Sequence, residues 1–210
     1  MRLARRAFLT HAGLLAGAAA LLRPFTASLS PASARAASIT EEDLLLDTMN
    51  GFVAFVVPGP DPYSVAQGLT TPEPGGLAAH ATAFLIGALN LSAPYAPNFA
   101  STVAGILNDV ARQVNPDAAG PFPSSFARLS FAEKARVLSV MEGLEPLKPL
   151  AGILPAVVAF ITYSEAPVFD PATRTVTGPP VGWTLSHYAG VADGRDDFQG
   201  YFHHRRAARG

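Results

Sequence analysis

The sequence predicts an all-α protein: a single compact domain of about five helices, with long Pro/Gly loops and an irregular aromatic C-terminal segment. Three observations predict it. Apolar residues recur at three- and four-residue spacing through most of residues 40–163. Helix-start and helix-stop residues bracket those runs. The chain has 210 residues, 49 % of them hydrophobic, which is enough to bury a core without cross-links.

Residues 1–36 stand apart from that domain. Arg5-Arg6 followed by Phe8 and Leu9, then an uncharged apolar run over 12–22, then Ala34-Arg35-Ala36, is the pattern of a twin-arginine export signal. The apolar run is too short to span a bilayer stably. Ala34 and Ala36 supply the small side chains that signal peptidase needs, so cleavage is expected after Ala36. The alternative is an uncleaved N-terminal anchor. The expected division is 1–36 signal, 37–203 helical domain and 204–210 basic disordered tail. The expected location is the periplasm or the extracytoplasmic face.

Thr40 before Glu41, Glu42 and Asp43 starts the first helix, a capping hydroxyl followed by acids in the positive first turn. Leu45, Met49, Phe52, Val53 and Val56 form its apolar face, and Pro58-Gly59-Pro60 ends it. Residues 58–74 then read as a loop, long for a connection inside a domain and therefore a candidate interface. A second helix is expected directly after Pro74, with Leu77, Ala81, Phe84, Leu85, Ala88 and Leu91 on one face and His80 half-buried beside it. Phe99, Val103, Ile106, Leu107, Val110 and Val114 make the cleanest stripe in the chain, stopped by Asn115-Pro116.

Ser130 and Glu133 form a capping box that opens a fourth helix through Val137, Leu138 and Met141. Residues 147–163 are almost wholly apolar but contain Pro149 and Pro155. They read as a central, kinked core helix rather than a membrane span. Beyond Ser164 the periodicity stops, and only a short hairpin over 168–176, turning at Asp170-Pro171, is expected.

Charge narrows the partners. The chain has 15 basic and 16 acidic residues. Arg2, Arg5, Arg6, Arg23 and Arg35 lie in the signal and no acid does, leaving ten basic against sixteen acidic residues, a net charge of −6. An acidic body argues against nucleic acid and anionic membrane. The chain has no cysteine, which excludes disulfides, iron–sulfur clusters, thiolate zinc, thiol nucleophiles and c-type haem.

No catalytic motif stands out. His203 and His204 are adjacent, so in an extended chain they point opposite ways, and no His-x-x-x-His pair exists. Asp193, Asp196 and Asp197 miss calcium-loop spacing. Ser64 and Ser186 lack a Gly-x-Ser-x-Gly setting, Gly75-Gly76 is no dinucleotide fingerprint, and the Glu41-Glu42 and Asp196-Asp197 pairs sit in polar surroundings. The expectation is a chain without catalytic, cofactor-binding or metal-binding residues. Phe169, Trp183, Tyr188, Phe198, Tyr201 and Phe202 cluster near the C-terminus. They either fold back onto the helices or form an anchor for another protein.

The order of elements resembles the gluconate 2-dehydrogenase subunit 3 family, small accessory subunits of flavoprotein dehydrogenases. The resemblance rests on the twin-arginine signal, Ala54-Phe55-Val56-Val57-Pro58 closing the first helix, and Pro74-Gly75-Gly76 before the next. Phe126-Ala127-Arg128-Leu129-Ser130, Thr162-Tyr163-Ser164-Glu165 and the Gly- and aromatic-rich close complete it. It covers most of residues 40–202, and the PGPDPYSVAQGLT stretch sets this chain apart from the family pattern.

The resemblance implies a non-catalytic subunit that escorts and stabilises an exported FAD-dependent dehydrogenase. The resemblance also implies FAD in the partner and allows a cytochrome c subunit in the same complex. On that reading the partner is bound through loop 58–74 and segment 180–202, with Tyr63, Trp183, His187, Tyr188 and Tyr201 as contacts. The alternative is a free-standing secreted helical protein binding a small apolar ligand in a pocket lined by Phe84, Ile106 and Phe160. A hydrolase joining His187 to a serine or acid is a third reading.

Overall fold

A computed structural model describes residues 39–93 and 96–188; the export-signal residues Arg5, Arg6, Phe8, Leu9, Ala34 and Ala36, and Tyr201, lie outside them. Helix α1 (Glu41–Val56) starts at Thr40, whose hydroxyl accepts the Asp43 N–H (3.0 Å) while the Asp43 carboxylate accepts the Thr40 N–H (3.2 Å). These bonds hold the Asp43 carboxyl below its ordinary value, the side-chain bond to Thr40 contributing most. Helix α2 (Pro62–Ala66) is one turn long. Helices α3 (Ala81–Ser92), α4 (Phe99–Val114), α5 (Phe131–Glu142) and α6 (Lys148–Tyr163) follow, then a 3₁₀ turn at Ala166–Val168.

Strands β1 (Phe169–Asp170) and β2 (Thr175–Val176) pair antiparallel, Phe169 opposite Val176 and Asp170 opposite Thr175, as the hairpin reading expected. The last described element is α7 (Val181–Leu185). Five long helices and two single turns make the described region all-α, as the periodicity indicates.

α1 packs against α3, α4 and α6, while α5 bridges α4 and α6, and α6 also contacts α3 and α7. Met49, Phe52 and Val53 of α1 meet Leu85, Val103, Leu107, Phe126, Met141 and Leu154 in one buried cluster. Each such side chain stabilises the fold by about 1.5–3 kcal/mol on burial. The second capping box is also present: Ser130 Oγ accepts the Glu133 N–H and Glu133 Oε2 accepts the Ser130 N–H (2.9 Å).

Four expectations need correction. The second long helix starts at Ala81, not after Pro74. Gly75 passes so close to Gly59 that a Cβ on Gly75 would lie 2.7 Å from the Gly59 nitrogen, and the Gly76 N–H donates to Val57 O (2.9 Å). That stretch is thus tied to the end of α1 instead of coiling. His80 is not half-buried on the helix: it is exposed, at the helix N-cap, in the left-handed region at φ 55°. Phe84 and Leu91 turn to solvent, leaving Ala81, Thr82, Leu85 and Leu89 as the inner face of α3. Finally, α6 is not enclosed on all sides; Leu150, Leu154, Val158 and Ile161 face the core, whereas Phe160 and Tyr163 do not.

Candidate functional site

Segment 58–74 is built into the domain by a polar seam. Asp61 caps α2, its Oδ1 accepting the N–H groups of Tyr63 (3.0 Å) and Ser64 (2.9 Å) and its Oδ2 accepting the Ser64 hydroxyl (2.7 Å). The segment is thus not the plain loop expected: an Asp at the N-cap followed by Pro at the first helical position favours a helix start. Buried Ser64 in turn accepts the Gly59 N–H (3.1 Å). Pro58 has no N–H to offer the Ala54 carbonyl four residues back. The side-chain amide of buried Gln67 takes that carbonyl instead (2.9 Å).

The other end of Gln67 defines the seam. Its Oε1 accepts from Lys134 Nζ (2.9 Å), which also donates to Gly51 O (3.2 Å). Lys134 is 0 % exposed, and its ammonium lies 5.6 Å from the centre of the Phe126 ring. Among the described residues no carboxylate is in ion-pair contact with it. Burial pushes its pKa down to about 8, against the opposing pull of Asp61 and Asp47. Beside the lysine, Gly51 lets the segment leading into α5 pass against α1: a Cβ there would sit 2.9 Å from Ala127.

Asp47, also buried, accepts the Tyr63 hydroxyl (2.7 Å) and the Ser124 N–H (2.7 Å). Tyr63 stacks on Phe122 with ring centres 4.2 Å apart, and burial is the main reason its hydroxyl is pushed up to about 12. Asn108 completes the seam: its amide donates to Thr48 Oγ1 (2.8 Å) and its carbonyl oxygen accepts from Ser124 Oγ (2.9 Å) and the Phe126 N–H (3.1 Å). Arg128 holds the same loop through Phe122 O (2.5 Å) and Pro123 O (3.2 Å). Among the described residues, no buried side-chain nitrogen or oxygen lacks a hydrogen-bond partner. Every buried side-chain nitrogen and oxygen of the seam is therefore already engaged, joining α1, α2, α4, α5 and the 120s loop.

Of the residues nominated from sequence as partner contacts, Tyr63 belongs to this seam. Trp183, His187 and Tyr188 lie together at the far end of the described chain. Trp183 and Tyr188 meet edge to face at 5.3 Å, and His187, exposed, takes φ 54° between them. Ser186 uses its hydroxyl on Gly182 O (2.7 Å). The structure does not bring His187 into the seam with Ser64 or the acids.

No protein-family model, curated protein or solved structure matches this chain.

The second feature of note is apolar and external. Leu91 is 83 % exposed, Phe160 71 %, Tyr163 52 % and Phe84 41 %. They stand on α3 and α6, which pack on each other and carry a single charged residue, Lys148, between them. Phe84 and Phe160, expected to line a pocket with Ile106, are thus on the outside, while Ile106 is half-buried. Among the described residues no helix is long and apolar enough to cross a membrane. Sequence reading missed Lys134 altogether; the only local trace of its setting is the Gly51 placed mid-helix, where glycine is otherwise unfavourable.

Proposed function

We propose that this chain is a non-catalytic accessory subunit that escorts and stabilises an exported FAD-dependent dehydrogenase, docking through the outer side of α3. The observation that carries the reading is the exposed pair Phe84 and Leu91 on an uncharged helix. A water-facing surface of that kind is costly to keep bare and gains from a permanent partner. The engaged polar seam is consistent with it, because those side chains hold a scaffold together. The twin-arginine pattern at Arg5-Arg6 and the resemblance to the gluconate 2-dehydrogenase subunit 3 family support a flavoprotein dehydrogenase as the class of partner. Substrate and FAD belong to that partner, and a cytochrome c subunit fits the same assembly.

The experiment is capture of the tagged full-length chain from its native host, with flavin absorbance and mass spectrometry on the eluate. A yellow eluate holding a stoichiometric dehydrogenase, lost on Leu91→Glu, supports the proposal. A colourless, partner-free chain overturns it.

A further inference from the structure

Segment 58–74 closes on itself. Gly59 and Gly75 meet backbone to backbone at its neck. Thr70 Oγ1 donates to Gly59 O (2.6 Å) and Thr71 Oγ1 to Pro58 O (3.2 Å), tying the returning limb to the outgoing one. Within the loop the Leu69 N–H donates to Ser64 O (3.1 Å), beyond the Asp61 cap of α2. A segment joined at its neck and packed by its own side chains is a self-contained unit.

Its hold on the rest of the domain is narrow. No side chain of 58–74 belongs to the apolar core, and Val65 and Leu69 are exposed. Among the described residues, its hydrogen bonds to the body run through two residues alone. The Tyr63 hydroxyl donates to Asp47 (2.7 Å) and accepts from the Asn50 amide (3.4 Å), with its ring on Phe122. Gln67 joins Ala54 O, the Lys134 ammonium and the Phe131 N–H, each at 2.9 Å. A part with few buried apolar contacts opens at lower free energy than the core. Beneath it lies Lys134, fully buried.

We propose that segment 58–74 is a lid that opens as one unit while the helices stay folded, with the charged Lys134 ammonium favouring the open form. Opening returns to the ammonium the water that the closed lid denies it. Asp61 of the lid and Asp47 of α1 pull the other way. Tyr63, its hydroxyl pushed up to about 12, keeps its proton throughout. The Phe126 ring faces the lysine from the 120s loop, where the Arg128 guanidinium is bound to Phe122 O and Pro123 O. On α5 itself Glu133 is engaged by Ser130 and Asn115, and Arg136 is exposed. With the lid closed the Lys134 pKa is about 8, against 10.5 in water. Below pH 8 both forms hold the proton and opening is most frequent. From pH 8 to 10.5 the closed form has released it, and opening becomes rarer. No partner enters this device, so it is independent of the accessory role.

The test uses the two lysines of the chain, Lys134 buried and Lys148 exposed. Full-length protein is treated with limiting acetic anhydride between pH 7 and pH 9.5, and acetylation at each lysine is read by mass spectrometry. The ratio of Lys134 to Lys148 acetylation cancels reagent decay and should fall about 30-fold over that range. A ratio that does not fall overturns the proposal. Amide hydrogen exchange gives a second readout on the same protein. The Phe131 N–H, bonded to Gln67 O, should be at least tenfold less protected than the Leu107 N–H in the core of α4. Equal protection overturns the proposal, because the segment then opens only with the whole domain. Gln67→Leu should raise the acetylation ratio at pH 7 at least tenfold at unchanged Leu107 protection; an unchanged ratio also overturns it.

Discussion

The seam around Lys134 and the outer sides of α3 and α6 invert the usual distribution of polarity. In the seam a lysine, an aspartate, an asparagine, a glutamine and three hydroxyl residues are buried. On the outside, Phe84, Leu91, Phe160 and Tyr163 meet water. Burying polar groups is tolerated because each has a partner, and the loss of any one partner leaves an orphan costing about 1–3 kcal/mol. The exposed apolar groups have no such dependence on one another. One region is therefore intolerant of change and fixes geometry. The other tolerates change in the isolated chain, and its side chains matter for what covers them.

The largest expected contrast uses glycines. Gly59→Ala places a Cβ 2.5 Å from the Gly75 nitrogen, backbone against backbone, and should cost about 3 kcal/mol in urea unfolding. Gly87→Ala, on α3, meets nothing within 4 Å and should stabilise by about 0.5–1 kcal/mol. Equal effects at the two sites would break the comparison.

Next comes pH. The folded-state pKa of Lys134 is lowered to about 8 from 10.5, so below pH 8 the unfolded and folded chains both hold the proton and the buried charge destabilises the fold. Between pH 8 and 10.5 the folded chain has released the proton while the unfolded chain keeps it, and stability rises with pH. The gain by pH 10 should be about 2–3 kcal/mol. Subtracting the same titration of Lys134→Met isolates it from other groups; a wild-type curve parallel to that variant would remove the buried charge from the account.

A smaller effect lies at the seam's edge. Tyr63→Phe and Asp47→Asn, singly and together, should give a coupling of about 1 kcal/mol in a double-mutant cycle, because the Tyr63 hydroxyl donates to Asp47 at 2.7 Å. Additive effects would mean the bond contributes nothing. Smallest of all, Leu91→Ser should change unfolding free energy by less than about 0.5 kcal/mol while reducing capture of the flavoprotein. A large loss of stability would show that Leu91 supports the fold.

What the sequence reveals divides along the same line. The stripe Phe99 to Val114 is legible because one apolar face at helical period states both element and orientation, and α4 has those bounds. The Ser130–Glu133 capping box and the Thr40 cap are legible because they are local; that Asp43 closes a second box with Thr40 is seen only in the structure. α2 carries a readable Asp61-Pro62 start, but it is one turn inside a Pro/Gly stretch, so composition hid it. Lys134 is opaque for a different reason: its setting is made by Gly51 meeting Ala127 and by Gln67 turning inward, three positions far apart in the chain. The outward turn of Phe84, Leu91 and Phe160 is opaque too, because a helix apolar all round does not say which side is covered.

The buried polar groups of α1 have a consequence for the order in which the chain emerges. Asp47 waits for Tyr63 and Ser124, Thr48 for Asn108, and the Gly51 carbonyl for Lys134. Every one of these partners is synthesised later, the last of them 83 residues on. Until then this flank of α1 carries hydrophilic groups that water can serve, so the nascent helix is not wholly greasy while it is incomplete. Closure of the seam is a late, long-range event, and it completes only when Lys134 has left the ribosome.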